Sequence, residues 1–230
     1  VKPIIGCEVY VTPQGRTRFD KVHELDAESR HLVLLCENEE GYRNLSYLVS
    51  MGWTEGFYIK PRIDLELLRQ YSGGLIALSA CLAGEIPRRL RNGEYENAKA
   101  YALELSHIFG PDRFYLELQD HGIRDQAIVN QGILRIHRET GLPMVCTNDA
   151  HYLRKEDAEA HDVLLCIQTG KTIDDENRMR YEPRNFYLRS EEEMAALFAG
   201  YEGALENTSK IADMCNLDFS FGKYHLPEFR

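Results

Sequence analysis

The apolar positions of this chain fall into compact runs separated by longer stretches with helical spacing. Pro3 to Val11 alternates after Gly6, with Cys7, Val9 and Val11 on one face and Glu8 and Tyr10 on the other, the period of a strand. His31 to Cys36, Leu75 to Ser79, Phe114 to Leu118 and Pro143 to Cys146 are short continuous runs, as expected for strands covered on both faces. Between them the spacing turns helical: about Glu39 to Met51 with Tyr42, Leu45 and Val49 inward, Glu94 to Phe109 with Ala98, Tyr101, Ala102, Leu105 and Ile108, and Asp125 to Thr140 with Val129, Ile133 and Ile136. Asp64 is placed to cap a brief helix reaching Gln70, and Gly141 stops the helix before the last strand. Strand and helix in alternation predict βαβ units and a parallel sheet or barrel, an α/β fold.

Two stretches break the alternation. Residues 12–30 carry Gly15, Arg16, Arg18, Asp20 and Lys21 and predict a solvated loop, and Gly52 to Arg62 predicts a loop with a short extended piece. After residue 170 the texture changes. Glu156 to Ile167 is helical, Lys171 to Arg189 is polar and turn-rich, and Ser190 with Glu193 forms a capping-box start for a helix to Phe198. A further helix is expected over Gly203 to Asn216, and the tail from Asp218 is aromatic and charged without periodicity. The expected organisation is a barrel over residues 1–170 and an extension over 171–230 that leads onward.

Composition narrows the function classes. At 230 residues, with 43% hydrophobic and 28% charged residues, the chain can bury a substantial core, and it contains no apolar run of membrane-spanning length. A net charge of −10 argues against a domain that grips duplex DNA by itself, since phosphate contacts need Lys and Arg. A polyanion held through bound cations remains compatible with that balance. The six cysteines (7, 36, 81, 146, 166 and 215) are scattered without a CxxC pair, which predicts reduced thiols and a cytoplasmic protein.

The candidate chemistry lies at strand margins. Thr147-Asn148-Asp149-Ala150-His151 follows the last apolar run. If strand geometry persists through Ala150, Asp149 and His151 project together at the carboxyl end of a buried strand, where parallel α/β folds collect their chemistry. Glu8 lies in the first strand, His31 opens the second and Cys81 comes two residues after the third. Carboxylate, imidazole and thiol are all donors to zinc, manganese or iron. Each also has an ordinary structural reading as a surface acid, an edge histidine or a core cysteine, and only the shared location raises the joint case. His31 precedes its strand and can face either end. Lys60 and Arg62 of the Lys-Pro-Arg loop are candidates to steady a phosphate, or are surface ion-pair partners. His121 reads as a turn residue and His161 as a packing residue.

Six segments, Gly6 to Val11, Glu39 to Leu45, Lys60 to Asp64, Leu78 to Pro87, Thr147 to Tyr152 and Ala160 to Gly170, resemble the amino-terminal PHP (polymerase and histidinol phosphatase) domain of bacterial replicative DNA polymerase III alpha subunits. The resemblance implies a distorted (β/α)7 barrel whose mouth holds up to three metal ions, usually zinc or manganese. It places Glu8, His31, Cys81, Asp149 and His151 on ligand positions, Cys81 standing where many relatives carry His, with Glu8, Asp149 and His151 at the catalytic centre. Relatives with the full ligand set resemble phosphoesterases, some with a metal-dependent 3′→5′ exonuclease activity on single-stranded DNA 3′ ends. Relatives that have lost ligands keep the domain as a scaffold that supports the polymerase and docks a separate proofreading subunit. The family's opening His-x-His and a later Asp-His pair have no counterpart here, so the first βα unit is expected to be missing and the metal complement reduced. The implied partners are downstream polymerase domains, a single-stranded DNA 3′ end and a proofreading subunit, with no membrane. A free-standing phosphatase for a small metabolite is the third alternative.

Overall fold

The computed structural model describes residues 1–28, 30–110, 112–222, 224 and 226. Residues 223, 225 and 227–230 of the expected tail lie outside the described residues. Seven strands form one sheet: β1 (Gly6–Val11), β2 (Arg30–Cys36), β3 (Phe57–Tyr58), β4 (Lys60–Ile63), β5 (Leu75–Leu78), β6 (Phe114–Leu118) and β7 (Met144–Cys146). Their order is β3-β4-β1-β2-β5-β6-β7, an open arrangement of the barrel type whose ends do not pair among the described residues.

β1, β4, β5, β6 and β7 run in one direction, and β2 runs against them, paired antiparallel to both β1 and β5. The expected parallel sheet is thus mostly parallel, with β2 reversed inside it and β3 reversed at its edge. A parallel return needs a crossover helix, and the link between β1 and β2 contains only the four-residue α1 (His23–Asp26), so the chain turns back beside its own strand. The reversal settles the direction of His31. Arg30 pairs with Val11 and His31 with Tyr10, so the amino end of β2 lies with the carboxyl ends of its neighbours.

The sheet buries its two faces unequally. Val9, Val11, Leu32, Leu34, Leu75, Ala77, Phe114, Leu116, Met144 and Cys146 point outward into the main core. There they meet α2 (Glu39–Thr54), α3 (Leu65–Gln70), α4 (Glu85–Arg91), α5 (Tyr95–Phe109) and α6 (Arg124–Thr140). Leu34, Leu75, Leu105 and Ile136 are completely buried, each contributing about 1.5–3 kcal/mol by leaving water. The inner face carries a smaller cluster, in which Ile76, Leu78, Tyr115 and Val145 pack with Ile211 and Cys215 from α9 (Glu206–Met214) and its end.

Local chemistry sets the helices. Asn38 caps α2 by accepting the Gly41 N–H at 3.0 Å, Asp64 caps α3 through Leu67 N–H at 2.9 Å, and Ser190 and Glu193 form the capping box of α8 (Glu191–Leu197). α2 is rotated from the expected stripe: Gly41, Leu45, Leu48 and Gly52 are buried and Tyr42 is exposed. A Cβ on Gly41 would stand 1.8 Å from the Gly74 carbonyl oxygen, so the helix docks through its glycines and not through Tyr42. The sequence reading missed α4. Its Glu85 in the first turn and Arg88, Arg89 and Arg91 in the last complement the helix dipole, a signal that Pro87 obscured although a proline is tolerated in the first turn.

Two further expectations change. The polar stretch 12–30 is not simply solvated: Asp26 is sealed from solvent and paired with Arg16 at 2.7 Å, while Arg18 bonds Glu55 and Asp64. The stretch after residue 170 packs back onto the body, since Phe198 and Ala204 join the main core and Phe186 is buried against the loop after β7. No helix is long and apolar enough to cross a membrane among the described residues.

Candidate metal centre

Glu8 and His31 lie on adjacent strands of the antiparallel pair. Glu8 faces Val33 and His31 faces Tyr10, which makes the two acid and imidazole positions diagonal neighbours on the inner face. Their side chains close that diagonal, with Glu8 Oε1 3.0 Å from His31 Nδ1. Cys81 arrives from the loop after β5. This loop is closed by Gly84 N–H on the Cys81 carbonyl at 2.8 Å and pinned to β2 by His31 N–H on the Ala83 carbonyl at 3.2 Å. A Cβ on Gly84 would stand 2.3 Å from the Ser79 carbonyl oxygen, so the tight return requires glycine. Cys81 Sγ ends 3.6 Å from the same His31 Nδ1.

Carboxylate, imidazole and thiol thus converge, with donor atoms all within 4.8 Å of one another. His31 Nδ1 carries at most one proton, which cannot point along both approaches. A cation among the three satisfies all of them. Tetrahedral zinc with bonds of about 2.0–2.3 Å separates its ligand atoms by about 3.3–3.7 Å, close to the spacing here, so the donor set fits a divalent metal. Without an ion, hydrogen bonding to Cys81 and then to Glu8 raises His31 to about 9 against the opposing effect of burial. The His31 hydrogen bond holds Glu8 below the usual carboxylate range, with the charge of His151 acting in the same direction.

Asp149 and His151 stand apart from this cluster. β7 ends at Cys146, and Asp149 takes φ 43°, in the left-handed region. Strand geometry therefore does not persist through Ala150, the condition on which the expected side-by-side projection of the two residues rested. His151 Nδ1 instead bonds the Asp149 carbonyl oxygen at 2.9 Å, and its ring lies against Tyr181 (4.8 Å), Phe186 (5.2 Å) and His161 (5.7 Å). The segment 185–189 holds this loop: His151 N–H donates to the Phe186 carbonyl at 2.7 Å and Asn148 Nδ2 to the Tyr187 carbonyl at 2.7 Å. Tyr181 links the two halves. Burial raises its phenol, and the charges of Asp149, Cys81 and Glu8 add to the effect.

Other candidates resolve differently. Arg62 is completely buried, with Nε on the Gly56 carbonyl (3.2 Å), Nη1 on Asp26 O (3.3 Å) and Nη2 on Arg18 O (3.3 Å) and Asp20 O (2.8 Å). Four of its five N–H donors are spent on carbonyls, three of the β1–β2 connection and one of the turn before β3, so it braces these loops from within instead of facing a phosphate. Lys60 is exposed, with Nζ 5.5 Å from the Tyr10 ring, and Tyr10 abuts His31 at 5.2 Å. His121 is a buried clamp, not a turn residue: its Nε2 donates to the Asn148 carbonyl at 2.9 Å, its Nδ1 accepts from Gln126, and desolvation lowers its pKa. His161, on α7 (Ala158–Thr169), lines a cleft with Tyr181, Arg178, Arg180 and Arg184 that the sequence reading did not anticipate. Asp162 neutralises Arg178 there through a two-point ion pair. Those arginines are separated from His161 by a turn-rich segment without periodicity, so no spacing signal joined them.

An open α/β sheet of the barrel type thus brings a carboxylate, an imidazole and a thiol together at one end, a candidate metal site. A family profile described as "PHP domain" matches residues 1–121, and the chain belongs to the PHP domain family. Relatives named "DNA polymerase III subunit alpha" match it at 46% identity over 232 residues in Borreliella burgdorferi (100% of this chain, 20% of the relative). The relative from Thermus aquaticus is 46% identical over 235 residues (100% and 19%), and that from Helicobacter pylori strain J99 44% over 229 residues (95% and 18%). The chain spans about a fifth of the length of these curated relatives.

Proposed function

We propose that the chain is the PHP domain of a DNA polymerase III alpha subunit, acting in DNA replication in the cytoplasm. Its strand-end cluster is a metal-dependent phosphoesterase site directed at the 3′ end of single-stranded DNA. The observation that carries this reading is the convergence of Glu8, His31 and Cys81 on one point. Glu8, His31 and Cys81 anchor the ion, and Asp149 and His151 complete its shell from the facing loop. The thiol favours zinc, and the carboxylate–imidazole remainder also accepts manganese. A divalent ion there supplies Lewis-acid charge to a phosphoryl oxygen and activates a nucleophile at neutral pH. Its positive charge also lets a chain of net charge −10 accept a polyanion. Lys60 at one rim and Arg180 and Arg184 at the other are exposed cations placed to meet the DNA backbone.

Elemental analysis of purified protein tests the metal. Release of nucleotide from a 3′-labelled single strand, abolished in Cys81→Ser and Asp149→Asn, tests the reaction. Absence of stoichiometric metal from the wild-type protein rejects the reading.

One observation favours a second reading, a non-catalytic scaffold supporting the polymerase domains and docking a proofreading subunit. Val163, Leu164 and Ile167 of α7 and the nearby Leu153 are exposed by 45, 60, 71 and 63%. Exposed apolar side chains at this density are typical of interaction surfaces. The polymerase identity of the relatives weighs against a free-standing metabolite phosphatase.

A further inference from the structure

Glu117 is a carboxylate that neither the metal cluster nor the core accounts for. It sits on the inner face of β6, between β5 and β7, with 5% of its surface exposed. Desolvation raises its pKa, a penalty for burying this acid that a leucine of similar size would not carry. Both oxygens are engaged. Oε2 accepts the Ala80 N–H at 2.9 Å, and Oε1 accepts Gln119 Nε2 at 3.0 Å and the Thr147 hydroxyl. The backbone N–H of Glu117 donates to Ser79 Oγ at 2.8 Å. A carboxylate occupied in this way is not a ligand; it joins the segments on either side of it.

Those segments carry the two halves of the site. Ala80 immediately precedes Cys81 and has φ 64°, a left-handed conformation that is strained for a non-glycine residue. The Ala80 N–H is the group Glu117 holds, so the strained turn that delivers Cys81 toward His31 is fixed by this carboxylate. Thr147, on the other oxygen, lies two residues before Asp149, whose φ of 43° is also left-handed.

We propose that Glu117 is a positioning residue for the metal centre, setting the Cys81 loop and the Asp149 loop at the separation that lets both reach one ion. The proposal rests on the metal-site reading above. In Glu117→Gln one carboxylate oxygen becomes an NH2 group, so the side chain no longer accepts on both sides, and either the Ala80 bond or the Thr147 and Gln119 bonds are lost. Glu117→Leu removes all three bonds.

The test uses cobalt as the probe metal. Affinity is measured by chelator competition, the thiolate-to-cobalt charge-transfer band reports Cys81 ligation, and amide hydrogen exchange at Ala80 is followed without metal. Glu117→Gln is expected to weaken cobalt binding about 10–100-fold, the range for partners of metal ligands, with a diminished thiolate band, faster Ala80 exchange and an intact fold by circular dichroism. Thr147→Val, which leaves the carboxylate in place, is expected to weaken binding less and to keep the thiolate band. Should Glu117→Leu not fold, these two variants decide the matter. Wild-type affinity, band and Ala80 protection in Glu117→Gln would overturn the proposal. A wild-type protein that takes up no cobalt would reject the metal-site reading and this proposal with it. Wild-type uptake with an unaffected Glu117→Gln would reject the positioning role alone.

Discussion

The two halves of the candidate site are built in different ways. Glu8 and His31 stand on paired strands whose register is locked by the outward burial of Val9, Val11, Leu32 and Leu34, and Cys81 is pinned to β2 through Ala83. A one-residue slip there would turn core residues to the solvent side, so the metal donors inherit the rigidity of the sheet. Asp149 and His151 lie on a loop held by hydrogen bonds to segment 185–189 and by tilted and edge-on aromatic contacts. The sheet half is fixed by strand register, whereas the loop half depends on hydrogen bonds to a distant segment. On the proposed metal-site reading, the β1–β2 pair and the loop pinned to it would supply the first donors, and the loop after β7 would add to them.

The largest predicted effect comes from breaking the support of the sheet half. Arg62→Ala leaves three carbonyl oxygens of the β1–β2 connection and the Gly56 carbonyl before β3 without their donor, and should cost about 3–5 kcal/mol of stability, read by urea denaturation. An Arg62→Ala protein of normal stability that lost only DNA binding would return Arg62 to a phosphate role. Next, His31→Ala should weaken zinc or cobalt binding about 100-fold in chelator competition, equivalent to about 2.7 kcal/mol, because it removes the nitrogen on which Glu8 and Cys81 converge.

Acid sensitivity should also map to the sheet half. Arg16 holds Asp26 down at about 2, below the unfolded value of about 3.9. The stabilisation is therefore complete above about pH 4 and disappears as pH falls through 2, amounting to about 1–2 kcal/mol. Asp26→Asn should lower the urea midpoint at pH 7 and narrow its gap to wild type near pH 2. Asp149→Asn is expected to weaken metal binding only about 10-fold, less than His31→Ala, consistent with loss of one loop contact. Equal losses in the two variants would remove the distinction between the halves. The smallest effect is expected from the double variant Arg180→Ala, Arg184→Ala. It should weaken single-stranded DNA binding about 3-fold at low salt with metal content unchanged, as for exposed phosphate contacts.

Much of the architecture was legible in the chain. Apolar alternation placed Val9 and Val11 opposite Glu8 and Tyr10, helical spacing located α5 and α6, and side-chain caps marked the starts of α3 and α8. These are local properties, carried by neighbours in sequence. The residue types of the candidate site were legible too, because Glu, His and Cys stood at strand margins. Their grouping was not. The direction of β2 depends on a connection that carries no crossover helix, and it brings His31 to Glu8. The role of Arg62 depends on the carbonyls that surround it, and the clamp of His121 on Asn148 joins residues 27 apart in sequence. Sequence by itself determined the periodicity, and with it the strands, the helices and the inventory of donors. Tertiary structure decided which donors meet, because strand direction, the left-handed turns at Ala80 and Asp149, and the partners of buried polar groups are set by contacts between distant segments.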